Sequence, residues 1–163
     1  MPPIRVSLDF ETRSRIDLRR VGVYRYARDE STEPLCMAWA VEDEEPQIWQ
    51  RGEPFPPALV GVLRQRVYLC AWNAQFEREI WQQMAQRADW PAVDDRLWVC
   101  TAALAARANI PRRLDLAAHA LHCPIQKDMA GHRLMLKCAR PTTAGAWYEP
   151  TPAEWAQLLA YCQ

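Results

Sequence analysis

The stretch IRVSLDFET, residues 4–12, decides the fold. Its apolar residues alternate: Ile4, Val6, Leu8 and Phe10 fall on one side, and Ser7, Asp9 and Glu11 on the other. Side chains of a strand point to opposite faces in turn, so this pattern predicts a strand with one face against a core. Asp9 and Glu11 close the strand. Two residues apart, they leave the sheet on the same face. Two carboxylates so near repel unless a proton or a cation lies between them. Magnesium or manganese, which take oxygen ligands, would relieve that repulsion. A D-x-E triplet also arises by chance, and solvated acids beside Arg13 and Arg15 are the plain alternative for this pair.

Further apolar runs build a sheet around this strand. LCMAWAV (35–41) and VYLCAW (67–72) are nearly continuous, as suits buried strands. PQIWQ (46–50) follows an acidic turn and reads as a third strand, and LWVC (97–100) reads as a short strand or as the lead into a helix. PPALVGVLRQR (56–66) predicts a short helix with proline at its start. NAQFEREIWQQMAQRA (73–88) is helical, with Phe76, Ile80, Trp81 and Met84 at three-to-four spacing. Helices are also expected over TAALAARAN (101–109), LDLAAHAL (114–121) and KDMAGHRLMLKCA (127–139), then a loop over 140–150. Thr151-Pro152-Ala153-Glu154 predicts a capping box opening a last helix with a stripe of Trp155, Leu158, Leu159 and Cys162. Strands first and helices later point to one α/β or mixed-sheet domain.

Composition narrows the class. Of 163 residues, 50% are apolar and 25% charged, which is usual for a soluble globular domain of one core. The six cysteines form no C-x-x-C pair and match no zinc or disulfide framework, so they read as reduced core residues. His119, His122 and Cys123 share one helical turn but lack an evident fourth ligand. No apolar run reaches the ~20 residues of a membrane helix, and MPPIRVSLDF is no signal peptide, so no membrane partner is expected. Net charge is zero, but its distribution is uneven: residues 13–28 hold six arginines against one acid, Asp17. Such a stretch can meet phosphates or can be a solvated surface loop.

Two further places carry chemistry. Asn73 and Glu77 stand four apart at the start of a predicted helix, which would put both on one face; Asn73 also suits an N-cap and Glu77 a first-turn acid. Tyr161 lies on the last helix among apolar neighbours, where an aromatic residue by default packs in a core or interface.

In order, the segments LDFETRS, GVYRYA, AWNAQFER, LDLAAHAL, KDMAGHRLMLKCARP and WAQLLAYC resemble the 3′–5′ exonuclease domain of family A DNA polymerases, of bacteriophage and prophage type. These segments span most of the chain. The resemblance implies a ribonuclease H-like fold, a mixed β-sheet flanked by helices, and the two-metal chemistry of the DEDD exonuclease group. Two magnesium or manganese ions would serve hydrolysis of single-stranded or frayed DNA 3′ ends. Asp9 would bridge both ions, Glu11 would ligate the ion that activates water, and Glu77 would serve the second ion through water. Tyr161 would orient the attacking water. Asn73 would help hold the site or the terminal nucleotide, and Thr12, Arg13 and Phe76, from the same motifs, are further substrate-binding candidates.

The chain departs from the family pattern in three places. Glu77 stands where the wider group has aspartate. Trp72 stands where many relatives have histidine. The third motif is a tyrosine followed four residues later by a metal-binding aspartate, and that position would be 165, beyond Gln163. No motif puts Asp94, Asp95, Asp115 or Asp128 in its place. The expectation is a single 3′–5′ exonuclease domain over residues 1–163, cut before the last catalytic aspartate and impaired in activity. Its setting would be a longer polymerase chain in the cytoplasm of a bacterial or phage-infected cell. The rival expectations are a catalytically inactive domain that binds DNA 3′ ends or acts as a scaffold, and an RNA-trimming exonuclease of the same superfamily.

Overall fold

A computed structural model describes residues 2–124 and 128–163. The quoted stretch is indeed the centre of the sheet. Strand β1 (Ile4–Arg13) pairs antiparallel with β2 (Glu33–Val41), which pairs antiparallel with β3 (Gln47–Gln50). On its other side β1 pairs in parallel with β4 (Val67–Ala71), and β4 in parallel with β5 (Trp98–Cys100), giving the order β3-β2-β1-β4-β5. The LWVC segment is therefore a strand, entered through a 3-10 turn at Asp95–Leu97.

The alternation of β1 sorts the helices into two layers. Val6, Leu8 and Phe10 are buried in the larger core with Met37, Trp39, Ile80, Trp81 and Trp90. Helices α1 (Leu18–Val21), α2 (Val23–Arg28), α3 (Pro57–Leu63) and α4 (Gln75–Arg87) supply this core. Its aromatic rings meet edge to face: Trp81 and Trp90 are 5.3 Å apart, and Phe55 and Trp90 4.8 Å, an arrangement that suits the ring quadrupoles. Helices α5 (Thr101–Arg107) and α6 (Leu114–Ala120) follow β5. The face of β2 that carries Cys36 and Ala38 packs against Leu159 and Cys162 of α8 (Pro152–Cys162). A small satellite core of Leu35, Leu134, Cys138 and Leu158 binds α7 (Met129–Cys138) to α8. The expected start of α7 at Lys127 lies outside the described residues. The capping box of α8 forms as the sequence predicts, with Thr151 and Glu154 satisfying each other's backbone N–H groups.

Two expectations change. The arginine-rich segment is not a plain loop; it folds into α1 and α2, separated by Gly22 at φ 74°, where a side chain would be strained. The helix expected from residue 73 begins at Gln75, because Asn73 has φ 65° and lies in the left-handed region, outside the helix. Asn73 is therefore not the N-cap and does not share a helical face with Glu77.

Candidate active site

Strand lengths open the site. β1 runs for ten residues, but β4 pairs only with its first four, Ile4 to Ser7. Beyond Ser7, β1 keeps β2 as its neighbour, with Asp9 opposite Ala38 and Glu11 opposite Cys36. Asp9 and Glu11 thus lie where β4 has ended and turned through Trp72-Asn73-Ala74 into α4. The carboxyl end of a parallel strand beside a change in sheet direction is where open α/β sheets form crevices.

Four expected residues converge here. Asp9 keeps an exposed edge, yet protein atoms crowd its carboxylate, and this desolvation raises its pKa from 3.8 to about 6. Glu11 is buried on the same side of the strand. Glu77, in the first turn of α4, is only 3% exposed, and its Oε2 has no hydrogen-bond partner. Burial, followed by the negative charge of Asp9, pushes its pKa from 4.5 to about 9; Glu11 adds to the rise. Tyr161 arrives from α8, whose neighbouring Cys162 Sγ lies 3.8 Å from the Asp9 carbonyl oxygen. Burial and then the charges of Glu11, Asp9 and Asp128 raise the Tyr161 hydroxyl to about 12. The phenol therefore keeps its proton at neutral pH and can donate it in a hydrogen bond.

The other candidates have different settings. The Thr12 hydroxyl is buried against the Tyr26 hydroxyl at 2.9 Å. Phe76 packs beside Tyr26, their rings 6.1 Å apart. Asn73 is exposed in the turn after β4. Arg13, expected at the substrate, has its guanidinium engaged elsewhere: 2.6 Å from Glu33 and 4.5 Å above the ring of Trp147. The register of β1 with β2 sets Arg13 directly opposite Glu33, which accounts for the pair. Trp72, where a histidine was expected, donates its indole N–H to the Arg112 carbonyl at 2.9 Å.

Sequence reasoning missed the support beneath Tyr161. His132 Nδ1 lies 3.2 Å from the Tyr161 hydroxyl. Asp128 caps α7 by accepting from the N–H groups of Ala130 and Gly131. Gly131 lets the two helices touch: a Cβ there would lie 2.5 Å from Asp128 Oδ2 and 2.7 Å from Tyr161 Cβ. The available signal was Asp128 as an N-cap with Gly131 three residues on, but nothing local linked that turn to Tyr161.

Oxygen-rich chemistry and the orphaned Glu77 Oε2 fit a hard divalent cation. Among the described residues no group of three or more His, Cys, Asp or Glu forms a ready-made cage, at the acids or around His119 and Cys123. A cation at the acids would thus rely on one or two carboxylates at a time with water completing its sphere, as magnesium commonly does.

The strand order, with one antiparallel arm and one parallel arm about an acid-bearing central strand, defines an α/β mixed-sheet domain of ribonuclease H-like class. No family model matches the chain. Over 169 aligned residues it is 33% identical to the DNA polymerase of Bacillus phage SP02, an alignment covering 96% of this chain and 25% of that protein. The chain thus spans about a quarter of the polymerase to which it is homologous. Among solved structures it resembles the family B DNA polymerase of the hyperthermophilic archaeon Pyrobaculum calidifontis, with TM-score 0.60 and 14% identity over 99% of this chain and 23% of that one. That second likeness concerns the fold. No helix among the described residues is long and apolar enough to cross a membrane.

Proposed function

We propose that this chain is a 3′–5′ exonuclease domain of a phage-type family A DNA polymerase, hydrolysing single-stranded or frayed DNA 3′ ends. The observation that carries the reading is Glu77: a buried carboxylate with an unpartnered oxygen, held beside Asp9 and Glu11 at the mouth of the sheet. A buried acid without a partner is costly, and such costs cluster where a ligand is expected.

Asp9, Glu11 and Glu77 would hold magnesium or manganese, which when bound supplies an acidified water and neutralises charge on the attacking and leaving oxygens. Without a cation, Glu77 retains a proton at neutral pH, so cation binding must displace it. Tyr161 offers a protonated hydroxyl, steadied by His132, to orient a water. Phe76, next to Glu77 in sequence, and Asn73, in the exposed turn before α4, would contact the terminal nucleotide. The remainder of the parent polymerase would present the 3′ end.

The test is release of mononucleotides from 5′-labelled single-stranded DNA in manganese, with EDTA and the double substitution Asp9→Asn, Glu11→Gln as blanks. A chain extended to carry an aspartate four positions after Tyr161 should cleave faster, because i and i+4 share a helix face. No metal-dependent release from either chain would sink the reading. The rival reading is a domain that binds 3′ ends without cutting them. Metal-independent binding with no cleavage even by the extended chain would select it.

A further inference from the structure

The arginines of residues 13–28 are not equivalent. Arg13 is buried in its pair with Glu33, and Arg28 lies 3.7 Å from Glu79. Arg15 donates to the Gly145 carbonyl and lies over Trp147. Arg19, Arg20 and Arg25 are exposed, and among the described residues no ion pair or side-chain hydrogen bond engages their guanidinium groups. The one acid of the segment, Asp17, does not neutralise them: its carboxylate caps α1 through the Arg19 N–H and faces Arg140 at 3.4 Å. Between the arginines stands Tyr24, 48% exposed, with the Arg28 guanidinium 5.5 Å from its ring.

This surface is fixed to the acids. The Tyr26 hydroxyl of α2 meets Thr12, the residue after Glu11, and its ring packs on Phe76, the residue before Glu77. Arg87 at the far end of α4 clamps the end of α2 by donating to the carbonyls of Arg28 and Asp29. Helices α1 and α2 are therefore a rigid shelf on the element that holds Glu77.

We propose that α1 and α2 form a docking surface for single-stranded DNA: Arg19, Arg20 and Arg25 contact successive phosphates and Tyr24 stacks on an unpaired base. Exposed arginines without an ion pair among the described residues supply the phosphate term, and an exposed ring offers a face that any base can use once it has left the duplex. The proposal rests on the exonuclease reading only for what happens at the strand's end, since docking itself needs no metal.

The experiment is fluorescence anisotropy of a labelled 12-mer oligo(dT) in EDTA across a KCl series. The charge-reversed variant Arg19→Glu, Arg20→Glu, Arg25→Glu should bind at least tenfold more weakly at 100 mM KCl. Its log–log salt slope should be shallower by about two, at ~0.7 per phosphate contact on a single strand. Arg64→Glu with Arg66→Glu, on the far end of α3, is the control and should change affinity less than twofold. Tyr24→Ala should weaken oligo(dT) about fivefold and leave a blunt duplex unaffected. Circular dichroism checks that these exposed substitutions leave the fold intact. Undetectable binding by the unaltered chain, unchanged affinity and slope in the triple variant, or an equal loss in the control would each overturn the proposal. If binding falls as expected while no chain releases nucleotides in manganese, the surface stands and the exonuclease reading fails. If nucleotides are released while the triple variant binds normally, the reverse holds.

Discussion

Replacing Glu77 by glutamine should flatten the response of the metal-free chain to pH, so that the variant ranks below the unaltered chain at pH 4 and above it at pH 8. Burial and Asp9 raise the Glu77 pKa from 4.5 to about 9 in the folded protein. Below pH 4.5 the carboxyl is protonated whether the chain is folded or not, and it contributes no pH dependence. As pH rises above 4.5 the unfolded chain releases this proton while the folded chain retains it, so folding loses stability until both forms are ionised near pH 9. At ~1.4 kcal/mol per pKa unit, the loss by pH 8 is on the order of 5 kcal/mol. Glutamine keeps the shape, carries no charge, and costs ~1–3 kcal/mol for an amide buried without full partners. Glu77→Gln should then be less stable than the unaltered chain at pH 4 by about 1–3 kcal/mol and more stable at pH 8 by about 2–4 kcal/mol. For a chain of this size that is a rise in Tm of roughly 6–12 °C. The assay is thermal unfolding by circular dichroism in EDTA at pH 4, 6 and 8. Asp9 is present in both proteins, so its own titration largely cancels in the difference. An equal fall in Tm between pH 4 and pH 8 for both proteins would refute the claim that Glu77 carries a strained charge.

Other outcomes are expected from the same geometry. Manganese at pH 8 should raise the Tm of the unaltered chain more than at pH 6, because fewer protons compete; the Asp9→Asn, Glu11→Gln chain should show no rise in differential scanning fluorimetry. Gly131→Ala sets a Cβ 2.7 Å from Tyr161 Cβ, so α7 and α8 must part; urea unfolding should show a loss of about 1–3 kcal/mol. Thr12→Val leaves the buried Tyr26 hydroxyl without its partner and should cost ~1–2 kcal/mol by the same measurement.

What could be read from sequence was what local periodicity controls. β1 was legible because Val6, Leu8 and Phe10 alternate with Ser7, Asp9 and Glu11, and α8 because its capping box is written in four consecutive residues. Helices α1 and α2 were not, because four and six residues are too short to repeat a pattern and Gly22 interrupts them. The gathering of Asp9, Glu11, Glu77 and Tyr161 was expected from motif order, and the structure supplies its cause: β4 stops pairing at Ser7. The partners of Arg13 and Tyr161 were hidden because strand register and helix contact decide them. Glu33 lies 20 residues from Arg13, and His132 lies 29 from Tyr161.

Asp9 and Glu11 lie in the first strand, Glu77 in α4, and Tyr161 only in α8, about 150 residues after Asp9. A ribosome adding ~5–20 residues per second takes on the order of ten to thirty seconds to travel between them. Throughout that interval β1 is already translated, but the layer of α8 that covers its acid-bearing side does not yet exist. A nascent chain therefore exposes the carboxylates of β1 without the hydroxyl that lies beside them in the folded domain. Assembly of this cluster is timed by synthesis itself, and a fragment released early would carry the sheet without the tyrosine.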